Sequence, residues 1–166
     1  LYEADAEMVA NGIVAVGDIS NTDHSFSVKG NSKIHYHTFI ELFDFHPNRA
    51  EDVFDKGKQL YNSLTSMGLA GSIVPHAPYT ISPKTFSLIN KASKDKIISI
   101  HNQEHPAEDE LYKTGGGEYL RFFKIFGIDK SPFPVTGKSS IRSVLPYFNN
   151  GQTIFLIHNT FMPEED

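Results

Sequence analysis

"LAGSIVPHAPYTISPKTFSLINKASKDKIISIHNQE", residues 69–104, alternates between two hydrophobic periods. "LAGSIVPH" is a continuous apolar run that ends in His76, as expected of a strand buried on both faces. Ser82 and Pro83 then cap and open a helix carrying Phe86, Leu88, Ile89 and Ala92. "KIISIH" is the next buried run, and it ends in His101. Apolar strands separated by helices predict a parallel sheet covered on both faces. Such a sheet gathers the C-terminal ends of its strands on one side.

The same alternation extends in both directions. Upstream, "GIVAVGDIS" (12–20) and "KIHYHTFIELF" (33–43) read as strands. Residues 47–67 form the clearest helix: Pro47 starts it and Ala50, Val53, Phe54, Leu60, Leu64 and Met67 form a stripe at three- and four-residue spacing. Gly68 stops it. Downstream come two helical pieces around "TGGG" (114–117), a proline-containing loop, a helix near 140–148 and the strand "TIFLIH" (153–158). The pattern predicts an α/β fold with five parallel strands in sequential order. The stretch from 107 to 136 exceeds an ordinary connection and is placed to cover a site. "LYEADAEMVANG" reads as a helix already under way, closed by Gly12, and Pro163 with the acidic residues after it reads as the start of another. The expectation is one domain, residues 1–166, excerpted from a larger protein.

Composition narrows the chemistry. The chain has 166 residues, 39% of them hydrophobic, enough for a real core. A net charge of -5 argues against nucleic acid or an anionic membrane as partner. No apolar run approaches the roughly 20 residues that cross a bilayer, and no signal peptide is visible. These features lead to the expectation of a cytoplasmic chain. Zero cysteines exclude disulfides and thiolate chemistry, so any metal must be held by histidine and carboxylate.

Three strands end in histidine: His76, His101 and His158. One such residue is an ordinary finding, but three from successive long strands should face one pocket. Imidazole suits zinc or iron. Glu104 lies one turn beyond His101, close enough to move protons without occupying a coordination position. Metal-assisted hydrolysis requires that division: the ion lowers the pKa of water, and a carboxylate shuttles the proton. Other residues have quieter readings. Asp18 either faces the pocket or caps a turn, Glu41 is favoured as structural, and Glu108 is read as support for the loop after His101. "VTGKSS" lacks the glycine and preceding strand of a phosphate loop, so Ser139 or Ser140 is read as a helix cap. "TGGG" is read as a break between helices.

"HAPYTIS", then "IHNQEHPAE" with its H-x-x-E, then "FLIHNT" together resemble the middle of an amidohydrolase-superfamily enzyme, in the branch of cytosine, guanine and S-adenosylhomocysteine deaminases and chlorohydrolases. The resemblance implies strands two to six of a (β/α)8 barrel, with one divalent cation, zinc or iron, per complete active site. It implies that His101 is a metal ligand and Glu104 the general acid/base, while His158 contacts the metal or its water and His76 and Tyr79 contact a small-molecule substrate. The expected reaction is hydrolysis of a C–N bond, the deamination of a heterocyclic amine of purine or pyrimidine type. The alternative is a non-catalytic barrel piece that binds a small molecule or oligomerises. The family's H-x-H pair after strand one and its Asp after strand eight have no counterpart in these residues. His35 and His37 are rejected as substitutes because they enter their strand rather than leave it. The stretch therefore supplies at most two of the family's ligands, and an incomplete barrel with free edges is expected to pair with another copy.

Overall fold

The computed structural model describes the backbone of residues 1–166 and every side chain except that of Pro47. Helix α1 (Tyr2–Ala10) precedes β1 (Ala15–Ser20), α2 (Phe26–Asn31) and β2 (His35–Leu42). A 3-10 turn at Pro47–Arg49 leads into α3 (Ala50–Ser66), followed by β3 (Ala70–Pro75), α4 (Pro83–Ala92) and β4 (Ile97–Asn102). Helices α5 (Pro106–Thr114), α6 (Glu118–Ile125) and α7 (Ser140–Val144) then lead to β5 (Thr153–His158). Every strand and long helix expected from the pattern is present. Nothing in residues 21–32 announces α2: six residues with Gly30 among them are too few for a helical period to register.

Local chemistry sets the boundaries. The Ser82 hydroxyl accepts from the Thr85 amide, so the expected cap of α4 is made. Gly115 ends α5 at a φ of 71°, with its amide on the Leu111 carbonyl, which is the break read from "TGGG". Ser139 occupies the cap position of α7 but its hydroxyl makes no capping bond. Ser140 instead donates to Asn102 and Glu108, so "VTGKSS" serves the strand end rather than the helix start.

All paired strands are parallel, but they form two sheets, β1-β2-β3 and β4-β5, rather than one of five. β3 and β4 still run side by side. The His101 amide donates to the His76 carbonyl at 2.8 Å, and the Ser72 hydroxyl donates to the Ile97 carbonyl at 2.5 Å. Pro75 lies in β3 and offers no N–H, and part of the contact with β4 runs through the Ser72 side chain rather than through backbone. Neither β1 nor β5 has a second partner among the described residues, so the sheet stays open.

Side chains alternate faces along each strand. Ile40, Leu42 and Ile73 join the main core against the helices, with Leu64, Phe86, Ile89 and Phe123. The opposite face carries His37, Phe39 and Glu41 on β2, and Ser72 and Val74 on β3. Phe39, Val74 and Ile98 form a second buried cluster that bridges the two sheets. None of the helices described is long and apolar enough to cross a membrane.

Glycine is required where β3 meets α3. A Cβ on Gly71 would collide with the Thr38 carbonyl and with Leu64, and backbone cannot retreat as a side-chain tip can. Gly71→Ala should therefore lower stability by about 1–3 kcal/mol. Gly30→Ala, inside α2 with open space at the new methyl, should raise it by about 0.5–1 kcal/mol. Urea midpoints of the two variants should move in opposite directions; a shared direction contradicts the packing assigned here.

Candidate active site

His76 follows β3, His101 sits near the end of β4 and His158 ends β5, so shared strand direction brings all three to one end of the fold. His101 lies at the centre. Its ring centroid is 5.1 Å from that of His76 and 5.1 Å from that of His158. His101 Nδ1 is 3.2 Å from His158 Nε2, and His101 Nε2 is 3.3 Å from Glu41 Oε1. Glu104 Oε2 is 3.8 Å from His158 Nε2. His158 and Asn159 both hold positive φ, 77° and 51°, which turns the chain sharply as it leaves the strand.

Glu41 is the residue that sequence reading undervalued. It stands two positions beyond Phe39 on the inner face of β2, and its side chain is 9% exposed. One donor atom each from Glu41, His76 and His101 lie within 4.8 Å of one another. The available signal was a lone carboxylate near the end of an apolar strand, in "TFIELF", whose neighbour strands end in histidine. Asp18, by contrast, pairs with the buried Lys29 at 2.6 Å and receives the Thr38 hydroxyl, so it is structural. His35 and His37 lie at the opposite end of β2; His37 Nε2 is 3.1 Å from the Ser72 hydroxyl.

Charge follows this geometry. The hydrogen bond that His101 donates to the Glu41 carboxylate raises the His101 pKa against the pull of burial. Burial lowers that of His76, helped by the neighbouring His101 charge and opposed by Glu41 and Glu104. Burial pushes the Glu41 carboxyl up, but its bond to His101 and the nearby imidazoles outweigh this and hold it below the ordinary value. The donor set, two imidazoles and a carboxylate, fits zinc or iron(II) and has no soft ligand.

The wall of the site is aromatic. Tyr79 stands edge-on to His76 at 6.3 Å and stacks on Tyr119 of α6, with centroids 4.2 Å apart. Burial raises the pKa of both phenols, so they stay protonated at neutral pH. Tyr119 belongs to the long stretch after His101, which does cover this end, but nothing in its own sequence context marks it.

Behind Glu104 is a buried clamp. Glu108, fully buried, accepts the Gln103 amide at 3.0 Å, the Glu104 amide at 2.9 Å and the Ser140 hydroxyl at 3.2 Å. It fixes the turn in which Gln103 holds a φ of 44°. Glu104 itself is no helix cap: His105 takes that position, its Nδ1 accepting the Ala107 amide.

No family model matches the chain. Aminodeoxyfutalosine deaminase of Deinococcus radiodurans is 31% identical to it over 84 residues, 48% of this chain and 20% of the relative. The crystal structure of Helicobacter pylori aminofutalosine deaminase matches with a TM-score of 0.76 and 20% identity, over 93% of this chain and 39% of that one. The same deaminase in complex with methylthio-coformycin matches with a TM-score of 0.77 and 20% identity, over 99% of this chain and 40% of that one. The chain thus spans about a fifth of the curated relative and two fifths of the solved structures. These matches bear out the resemblance to the amidohydrolase superfamily, and the structural likeness shows a shared fold.

Burial holds the Glu108 pKa above its ordinary value despite the donors around it. The folded state therefore keeps this proton to higher pH than the unfolded chain, whose carboxyl titrates at about 4.3. Stability from Glu108 should fall as pH rises from that value through the raised folded one. Glu108→Gln should flatten this part of the curve. Urea midpoints measured across the acid range test it; equal slopes in both chains would remove Glu108 as the cause.

Proposed function

We propose that these residues form the central β/α units of a metal-dependent hydrolase that deaminates a heterocyclic amine, with purine-like nucleosides as the substrate class. The observation that carries the reading is the meeting of His76, His101, His158 and Glu104 at one end of the parallel strands. The deaminase relatives and the coformycin-type ligand in one of them supply the substrate class.

His101 would hold the cation, with His158 beside it. Bound there, a divalent cation supplies the Lewis acidity that lowers the pKa of water. The chain's own residues divide the remaining work. Deamination adds water to the ring carbon bearing the exocyclic amine, forming a C–O bond and breaking the C–N bond as ammonia leaves. Glu104 takes the proton from the attacking water and delivers it to the ring nitrogen, then assists departure of the amine. The amides held by Glu108 keep that carboxylate beside His158. Tyr79, stacked on Tyr119, offers an aromatic wall to a planar base.

In the protein that contains this segment, Glu104→Gln keeps size and hydrogen bonding but removes the transferable proton. Its kcat should fall about 10²- to 10⁴-fold while metal content stays unchanged. His101→Ala should lose metal and turnover together. Ammonia release from 6-aminopurine nucleosides and metal analysis of both variants provide the check. A Glu104→Gln enzyme that keeps most of its rate ends the assignment.

A further inference from the structure

We propose that Asn102 is a positioning residue: its buried side-chain amide holds the turn that carries Glu104 against the turn that carries His158. The proposal rests on the hydrolase reading for what Glu104 and His158 do; the bridge between their turns rests on geometry.

Both turns are unfavourable by themselves. Gln103 stands at a φ of 44°, His158 at 77° and Asn159 at 51°, a left-handed region that residues with side chains enter at a cost. Such backbone persists where surrounding contacts over-determine it. The reacting side chains do not supply those contacts. The Glu104 side chain is 53% exposed and that of His158 37%, and their 3.8 Å approach is the only ion pair Glu104 makes among the described residues. Where the two groups stand therefore depends on the backbone beneath them.

Asn102 lies between the turns at the end of β4, with no exposed surface. Its Nδ2 donates to Gln103 Oε1 at 2.9 Å and to Asn159 Oδ1 at 2.9 Å. Its Oδ1 accepts the Ser140 hydroxyl at 3.2 Å, and the same hydroxyl reaches Glu108. Both N–H donors and the carbonyl are thus occupied, by partners from the turn after β4, the turn after β5 and α7.

Two backbone bonds also join the turns. The Asn159 amide donates to the Asn102 carbonyl and the Phe161 amide to the Gln103 carbonyl, each at 3.0 Å. What the Asn102 side chain adds is a link to Glu108, whose carboxylate holds the Gln103 and Glu104 amides. A path of buried hydrogen bonds therefore runs from the Glu104 amide through Glu108, Ser140 and Asn102 to Asn159. A buried polar network with every member satisfied is rigid. Here it ties together two positions more than 50 residues apart in the chain.

Variants of the protein that contains this segment test the bridge. Asn159→Gly removes the acceptor for Asn102 and accepts the left-handed backbone, while Asn159→Asp keeps the acceptor. Hydrogen exchange of peptides spanning 103–109 should quicken roughly 5- to 10-fold in Asn159→Gly and stay near the parent rate in Asn159→Asp. Asn102→Leu, similar in volume, should act like Asn159→Gly, which keeps the test open if that buried change prevents folding. On 6-aminopurine nucleosides, Asn159→Gly should lower kcat roughly 10- to 100-fold with KM and metal content unchanged. Added to Glu104→Gln, it should cost less than about twofold more, because the group it positions is already disabled. Unchanged exchange over 103–109 in Asn159→Gly overturns the proposal, as does an unchanged kcat. Losses that multiply in full with that of Glu104→Gln overturn it as well, because they mark a general loss of structure. A parent protein that releases no ammonia refutes the hydrolase reading instead, and the exchange rates still decide whether Asn102 joins the two turns.

Discussion

The site depends on strand direction combined with the two-residue period of a strand. Because neighbouring strands run parallel, their C-terminal ends lie side by side, and whatever residues occupy the inner face at that height must meet. Glu41, His76 and His101 come from three separate strands, up to 60 positions apart in the chain, yet their donor atoms fit within 4.8 Å. No loop has to fold over to assemble them. The helices cover the other face through Ile40, Leu42 and Ile73, so the packing that stabilises the sheet also fixes which way the inner side chains point.

Strands and helices were legible because each has a strong local signature. The apolar runs, the Ser82–Pro83 start and the stripe along residues 50–64 depend on neighbours in sequence and appear as expected, whereas Met67, expected in that stripe, follows the helix and is exposed. The histidine cluster was legible for the same reason: three runs end in the same residue, and parallel topology does the rest. What escaped the sequence was long-range. Glu41 becomes notable only when His101 lies 3.3 Å away, and Tyr119 only when its ring stacks on Tyr79. The division into two sheets was likewise hidden, because contacts of β3 with β4 and its approach run partly through the Ser72 and Ser93 side chains, whose partners are set only by tertiary packing.

Glu108 shows how a buried charge can serve a site without touching its reacting atoms. Its two oxygens gather three donors from the turn after His101 and from α7, which holds Glu104 while leaving that side chain exposed to its work. The donors around it offset only part of the cost of burying the carboxylate, which is why its pKa stays above the ordinary value. The long stretch after the fourth strand thereby contributes both a wall, through Tyr119, and an anchor, through Ser140.

The seam between the two sheets runs through the centre of the site. Glu41 and His76 ride on one sheet, while His101, His158 and Glu104 ride on the other. Directly beneath them, Phe39 and Val74 of the first sheet close on Ile98 of the second, joined by Phe148 and Ile154. This small apolar layer spans the seam, so the two halves of the site are tied by packed side chains as well as by hydrogen bonds. Trimming Ile98 would open a void in that tie, so the alignment of the histidines leans on hydrophobic side chains as well as on strand direction.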